Sequence, residues 1–435
     1  ISQGVGRIAG YLGLGKIIMF YDANEIQLST KTNEVTSEDT AAKYNSWHWH
    51  VVEIDGNDAQ QIRSAIKQCQ DVTDKPSLII GRTRMGKGAV MADGTSYEGQ
   101  VETHGKPLSK TKASYPDTIR NLGGDPEDAF VIFGDVAAHY RKVLDTRRKE
   151  VAKFNKEYTA WQSSNSDLAA LLAGYLSGEA PSLNWNEVQL GQNEATRNAS
   201  GKILGYLAEN VGNMIVMSAD LSNSDMTEGF LKKSRPFTKN DFSGGFLHAG
   251  VSELTMAALC TGMALHGGVI PVCATFFAFS DYMKPVLRIA ALMEQPAKFL
   301  WTHDAFRVGE DGPTHQPVEQ EAQLRLLEKL HNHSGIPSFL ALRPADSAET
   351  LHAWKLLLET HNRPGGLILS RQNIHDLPAI NQNRLTEAGQ LAYGAYIAYA
   401  QSEDADILFL GNGSEVATLV EAAVKLEQHS HYRVR

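Results

Sequence analysis

At 435 residues, with 42% apolar and 21% charged side chains, the chain can supply cores for about three globular domains; its formal net charge of −9 argues against a general binder of nucleic acid or anionic membrane. Cys69, Cys260 and Cys273 lack CxxC spacing, which argues against a disulfide framework or a zinc site and fits a reducing, cytoplasmic setting. No apolar run reaches the ~18 residues of a membrane span, and no signal peptide is visible.

The chain lacks an initiator Met and ends at residues 431–435, which read as the start of a strand. Both ends are therefore expected to continue into a longer protein. Near the start, Gly4-Val5-Gly6-Arg7-Ile8-Ala9-Gly10 matches GxGxxG only loosely, with its last Gly one position late and no strand before it. A dinucleotide site is not expected there. Apolar runs at 17–21, 78–81, 214–217, 269–274, 299–301, 339–342, 367–369 and 407–410 read as strands. Most carry apolar residues at consecutive positions, the pattern of strands buried on both faces of a parallel sheet. Residues 47–50, Trp-His-Trp-His, lead into Val51-Val52 and read as strand residues alternating between faces rather than as a metal cluster.

Helical patterns at 251–265, 283–293 and 348–359 alternate with these runs, so the fold class is α/β, with successive domains built on parallel sheets. The polar stretch 137–172, helical at 138–154, reads as an exposed helix and linker. Boundaries near 160 and after Arg371-Gln372-Asn373 divide the chain into 1–160, 161–375 and 376–435.

In open parallel sheets, ligands bind at the carboxyl ends of the strands. The residues following the runs include Asp22-Ala23-Asn24, Ser218-Ala219-Asp220 with Ser222 and Ser224, Phe276 with Phe277, Phe279 and Tyr282, His303, and Ser370-Arg371. The loop 302–317 is the richest, with two His, two Asp and a Glu among Gly309, Gly312, Pro313 and Pro317, which fix a non-helical path. His303 and His315 lack the spacing of two zinc ligands on one helix face.

Read together, these segments resemble the transketolase family. The resemblance rests on Tyr21-Asp22-Ala23-Asn24-Glu25-Ile26, His104-Gly105-Lys106-Pro107-Leu108, Ala195-Thr196-Arg197, the run 218–224, Ser252-Glu253, Ala274-Thr275-Phe276, Thr302-His303-Asp304, Arg343-Pro344-Ala345-Asp346 and 369–373. The stretch 309–319, GEDGPTHQPVE, is the most specific piece.

The resemblance implies an enzyme of pentose phosphate metabolism that moves a two-carbon ketol unit from a ketose phosphate to an aldose phosphate, using thiamine diphosphate. It implies a homodimer with the active site at the subunit interface. It places the Asn24 side chain and the Ile26 carbonyl on a divalent ion; Mg²⁺ suits such oxygen ligands, with Ca²⁺ and Mn²⁺ as alternatives. Glu253 becomes the acid that protonates the aminopyrimidine, a role that a carboxyl at a helix start among apolar neighbours can fill. Phe276, Phe279 and Tyr282 become the aromatic cage for that ring, with Asp220 among the cofactor-binding residues. His104, His303 and His315 are implied near the reacting carbons and hydroxyls, where imidazoles shuttle protons near neutral pH, and His104 also at the cofactor. Asp311 is implied on a sugar hydroxyl, and Arg197, Ser224 and Arg371 on the substrate phosphate, where Arg offers a planar fork of donors.

The family's Gly-Asp-Gly metal motif would lie upstream of residue 1. The 435-residue piece alone is therefore expected to have little or no activity. Glu253 is flanked by Ser252 and Leu254, where the family usually has Arg and His. Related thiamine-dependent transferases, such as deoxyxylulose-phosphate or dihydroxyacetone synthases, and a non-catalytic relative serving as partner or regulator are the competing readings.

Overall fold

The computed structural model describes residues 2–305, 307–381, 383–401 and 404–435. The chain divides into two compact units between Ser166 and Asp167, the second of which also includes the N-terminal tip of the chain.

In the first unit, β1 (Ile18–Ala23), β2 (His50–Asp55) and β3 (Ser77–Arg82) form a parallel sheet in the order β1-β3-β2. The central β3 is buried along nearly its whole length, as its Leu-Ile-Ile run requires. Helix Ala59–Gln70 starts where Asp58 Oδ1 accepts the amides of Gln60 and Gln61. Its Ala65 and Cys69 pack on Ile79, Val52 and Ile54, while Ala9, Tyr44 and Trp49 pack on Leu78 and Ile80. The run at 17–21 departs from the pattern of burial on both faces: Met19 and Ala23 pack on the core, while Ile18, Phe20 and Tyr21 are exposed among the described residues.

The glycine-rich start is not a phosphate loop. It forms helix Ser2–Leu12, and a Cβ on Gly10 would lie 1.8 Å from the carbonyl oxygen of Trp47. Residues 47–49 are a turn rather than strand, with His48 at φ 64° and the strand beginning only at His50. Trp49 is buried and donates its Nε1 to the Gly6 carbonyl at 2.8 Å. The exposed helix expected within 137–172 spans Gly134–Ser164, with no buried residue along its 31 positions.

In the second unit, β4 (Met214–Ser218), β5 (Phe246–His248), β6 (Ile270–Phe276), β7 (Lys298–Thr302), β8 (Leu340–Leu342) and β9 (Gly365–Leu369) form a parallel sheet in the order β5-β4-β6-β7-β9-β8. The register pairs Ser218 with Ala274, Phe276 with Thr302, and Thr302 with Leu369. The carboxyl ends of the middle strands are therefore level. One face of the sheet buries Val216, Val272, Leu300 and Leu367 against Ile203, Leu204, Trp354 and Leu357. Trp354 satisfies its indole N–H on Ser200 Oγ at 2.9 Å.

Seven of the eight apolar runs are strands; the eighth is corrected. Residues 407–410 form only an isolated parallel bridge, Ile407 with Val434, flanked by Phe409 N donating to Arg435 O at 2.8 Å. Leu408 and Leu410 are exposed there, so the run has no sheet face to bury.

Gly10→Ala is expected to destabilise the first unit by about 3 kcal/mol, because its Cβ meets backbone that a rotamer change cannot move. Urea denaturation of the 435-residue chain checks this. An unchanged midpoint would show that the Trp47 turn yields freely.

Candidate active site

The level strand ends of the second unit carry an aromatic platform. Phe276 ends β6, Phe279 closes the short 3₁₀ turn Phe277–Phe279, and Tyr282 lies in the first turn of helix Ser280–Leu292. Ring centroids are 6.0 Å apart for Phe276 and Phe279 and 6.2 Å for Phe279 and Tyr282. Phe276 is buried beneath His303, whose ring centroid is 3.7 Å away. The open ring surface is therefore offered mainly by Tyr282, which is 60% exposed, and by the half-buried Phe279.

His303 follows the last residue of β7 in a left-handed backbone conformation, φ 64°, which is costly for a residue with a Cβ. Its Nδ1 is 2.9 Å from Thr302 Oγ1. Burial, and then the positive charges of Arg197 and Arg371 and the nearby His315, push its pKa down to about 3. It is a neutral imidazole across the physiological range. His315, at the end of the 3₁₀ turn Pro313–His315, stands edge-on to Phe279 at 5.1 Å and to Phe276 at 6.2 Å. Thus residues from β6, β7 and the 302–317 loop meet in one cluster.

A cationic corner adjoins it. Arg197 lies in the first turn of helix Thr196–Asn210, which is tied to the end of β9: the Ser370 amide donates to Thr196 Oγ1 at 2.7 Å and the Thr196 amide to Ser370 Oγ at 3.0 Å. Arg197 Nη1 donates to the Ser224 carbonyl at 2.8 Å, while its Nε is buried without a partner among the described residues. Arg371 follows Ser370 and lies 3.7 Å from the exposed Glu310. Two guanidiniums thus sit near a neutral histidine with a buried donor unanswered, a set that fits a phosphate group.

Sequence reasoning missed Asp225. It is fully buried, accepting Ser218 Oγ at 2.7 Å on one oxygen and the Thr227 amide and hydroxyl at 2.9 and 2.7 Å on the other. Burial pushes its pKa up to about 6, against the opposing pull of those hydrogen bonds and of Arg197. It ties down the loop whose Ser224 carbonyl holds Arg197. Nothing in its sequence surroundings distinguishes it from an ordinary turn Asp.

The other expected residues stand apart from these contacts. Glu253 is buried as the first residue of helix Glu253–His266, and Asp220, at φ 65°, is exposed two residues past β4. Asp311 is exposed on the loop. In the first unit, Asn24 Oδ1 accepts the Ile26 amide at 3.0 Å, and the Ile26 carbonyl receives no hydrogen bond among the described residues. That free carbonyl and the remaining lone pair on Asn24 fit two oxygen ligands of a hard cation. No group of three or more His, Cys, Asp or Glu among the described residues could hold a metal. His104, half-buried, precedes Gly105, which lies against Leu28 of the same turn region. Asn24, Ile26 and His104 thus share one end of the first unit.

Residues 1–181 match the family of the transketolase thiamine diphosphate binding domain, and residues 192–376 that of the transketolase pyrimidine binding domain. A transketolase of Halalkalibacterium halodurans is 36% identical over 438 residues, covering 98% of this chain and 62% of the relative. Among solved structures, transketolase from Leishmania mexicana superposes with a TM-score of 0.89 at 30% identity, covering 100% of this chain and 61% of that one. A Pichia stipitis transketolase in complex with sedoheptulose 7-phosphate gives 0.86 at 31% identity, covering 100% of this chain and 62% of that one. The chain therefore spans about 62% of the length of the curated relatives it matches.

Asp225 generates a stability prediction. Its folded pKa of about 6 lies above the ordinary 3.8, so its stabilising contribution is present below the lower value and is lost as pH rises through the higher one. At 1.36 kcal/mol per pKa unit this amounts to about 2–3 kcal/mol. Asp225→Asn should raise the melting temperature at about pH 8 and change it little at about pH 4. Parallel melting curves at both pH values would overturn the assignment.

Proposed function

The chain belongs to the transketolase family, and from that premise we propose that the intact protein moves a two-carbon ketol unit from a ketose phosphate to an aldose phosphate in pentose phosphate interconversion. The observation that carries this reading is the meeting, in one unit, of the aromatic platform, the neutral His303 and the Arg197–Arg371 corner.

Bound thiamine diphosphate would supply the electron sink for carbon–carbon cleavage. Each residue of the chain then has a task its surroundings suit. Phe276, Phe279 and Tyr282 wall the pyrimidine, with Asp220 nearby as a cofactor contact. Glu253 addresses the ring as its acid from a buried place at a helix start. Asn24 and Ile26 give oxygens to a divalent cation, Mg²⁺ or, with looser geometry, Ca²⁺ or Mn²⁺. His303 donates or accepts at a substrate hydroxyl without being trapped as a cation, and His315 and His104 serve neighbouring oxygens. Asp311 accepts from a sugar hydroxyl. Arg197, Ser224 and Arg371 hold the phosphate, whose negative charge relieves the repulsion between the two guanidiniums.

The same reading makes the active protein a homodimer with its sites at the subunit interface. One subunit would supply the diphosphate-binding domain (1–160) and the other the pyrimidine-binding domain (161–375), with 376–435 opening a third domain. A cytoplasmic location accords with three free buried cysteines and with the absence, among the described residues, of a helix long and apolar enough to cross a membrane.

The test uses the intact gene product, assayed for transfer from xylulose 5-phosphate to ribose 5-phosphate with and without thiamine diphosphate and Mg²⁺. Cofactor-dependent product is expected; its absence would defeat the reading. Arg371→Ala should raise KM for phosphorylated sugars about 10–100-fold, the worth of a charge-assisted hydrogen bond. A variant with unchanged KM would remove Arg371 from the phosphate site. Glu253→Ala should lower kcat about 100-fold or more, and wild-type turnover would show that another group is the acid.

A further inference from the structure

Asp304 follows His303 and is almost completely buried. All the compensation for its charge falls on one oxygen. Oδ2 accepts Arg343 Nε at 3.1 Å, Arg343 Nη2 at 2.8 Å and Ser414 Oγ at 2.8 Å, while Oδ1 is buried with no partner among the described residues. Arg343 comes from the loop after β8, and Ser414 lies 110 residues beyond Asp304 in sequence.

The segment carrying Ser414 is shaped for this contact. Asn412 Oδ1 accepts Arg343 Nη1 at 2.8 Å, and its amide nitrogen donates to Glu321 Oε1 at 2.9 Å. Glu415 Oε2 lies 2.6 Å from Arg343 Nη2, off the hydrogen-bonding direction, and adds charge balance. Gly413 sits at φ 60°, and a Cβ there would meet Arg343 Cγ at 2.5 Å. The loop can approach the Arg343 side chain this closely only because position 413 lacks one.

His303 is held on its other side by Thr302 Oγ1 and by the ring of Phe276. Its left-handed backbone persists only where the surroundings over-determine it. We propose that Asp304, Arg343 and Ser414 are positioning residues for His303, so that the 412–415 loop, far downstream in sequence, sets the geometry of the sugar-reading loop. The importance of that geometry for turnover rests on the functional reading above; the structural coupling does not.

The test has two arms. In the first, the 435-residue chain is labelled with ¹³C at histidine Cε1, and the His303 resonance is assigned by its loss in His303→Asn. Ser414→Ala, which removes one of three donors and leaves the ion pair, is expected to shift or broaden that resonance; Ser414→Thr, which keeps the hydroxyl, restores it. Arg343→Lys is expected to move it further. A purely structural role would lower the melting temperature and leave the His303 signal in place, and that result overturns the proposal. If Arg343→Lys fails to fold, Ser414→Ala with its Thr rescue decides the matter alone. In the second arm, Ser414→Ala in the intact gene product should lower kcat about 10-fold with KM little changed, because misplacement of a contacting group is felt most in the transition state. A moved His303 signal in a protein without ketol transfer would uphold the positioning network and defeat the functional reading. Unchanged kcat alongside a moved signal would overturn the claim that this geometry governs turnover.

Discussion

The constraint on which the site depends is the register of the six-stranded parallel sheet. Phe276, Thr302 and Leu369 end their strands at one level because each is paired across the ladder to its neighbour's terminal residue, and Ser218 ends two residues short of Phe276. Each strand then releases its chain at the same edge, where backbone amides and carbonyls need new partners. A one-residue slip of β7 would turn His303 away from Phe276 and Trp301 away from Phe339. The core of Leu300, Leu367, Val272 and Trp354 thus fixes the register, and the register places the polar groups.

Electrostatics at that edge are arranged around cations rather than acids. Arg197 and Arg371 repel one another, and both disfavour a proton on His303. The buried carboxylates nearby are committed to other partners, Asp225 to Ser218 and Thr227 and Asp304 to Arg343 and Ser414, which leaves only the exposed Glu310, 3.7 Å from Arg371. The corner consequently keeps an excess of positive charge within a protein whose formal net charge is −9. Local donor geometry, rather than net charge, decides what such a surface attracts.

Much of this was legible in the sequence, for a physical reason. Strands buried on both faces need continuous apolar residues, and six of the apolar runs are strands of this kind. β2 and β5 were harder because each offers only two consecutive apolar residues, Val51-Val52 and Phe246-Leu247. The run at 407–410 misled because apolar composition states a capacity to be buried, not a partner to be buried against. Trp47 and Trp49 looked like strand residues, but they flank a turn that the bare Gly10 surface allows to sit close. In the site, residues on strand ends and in the glycine-punctuated loop could be picked out by position. Asp225 could not, since its role arises from burial and from contacts reached through the turn. The Asp304–Arg343–Ser414 link could not either, because sequence separation hides a contact that folding makes.

That link also bears on why a buried charge cluster is kept at all. A well-packed apolar seam can be as stable as a buried ion pair, so stability alone is a weak reason for one. An apolar seam, however, tolerates sliding, and the guanidinium of Arg343 does not. Its Nε and Nη2 both address Asp304 Oδ2, while Nη1 addresses Asn412, so a shift of the 412–415 loop by one residue would leave Asp304 or Arg343 short of protein partners. Glycine at 413 removes the one side chain that would hold the loop off. The cluster therefore acts as a registration mark: it admits one arrangement of the downstream segment, and in that arrangement the residue beside His303 is fixed.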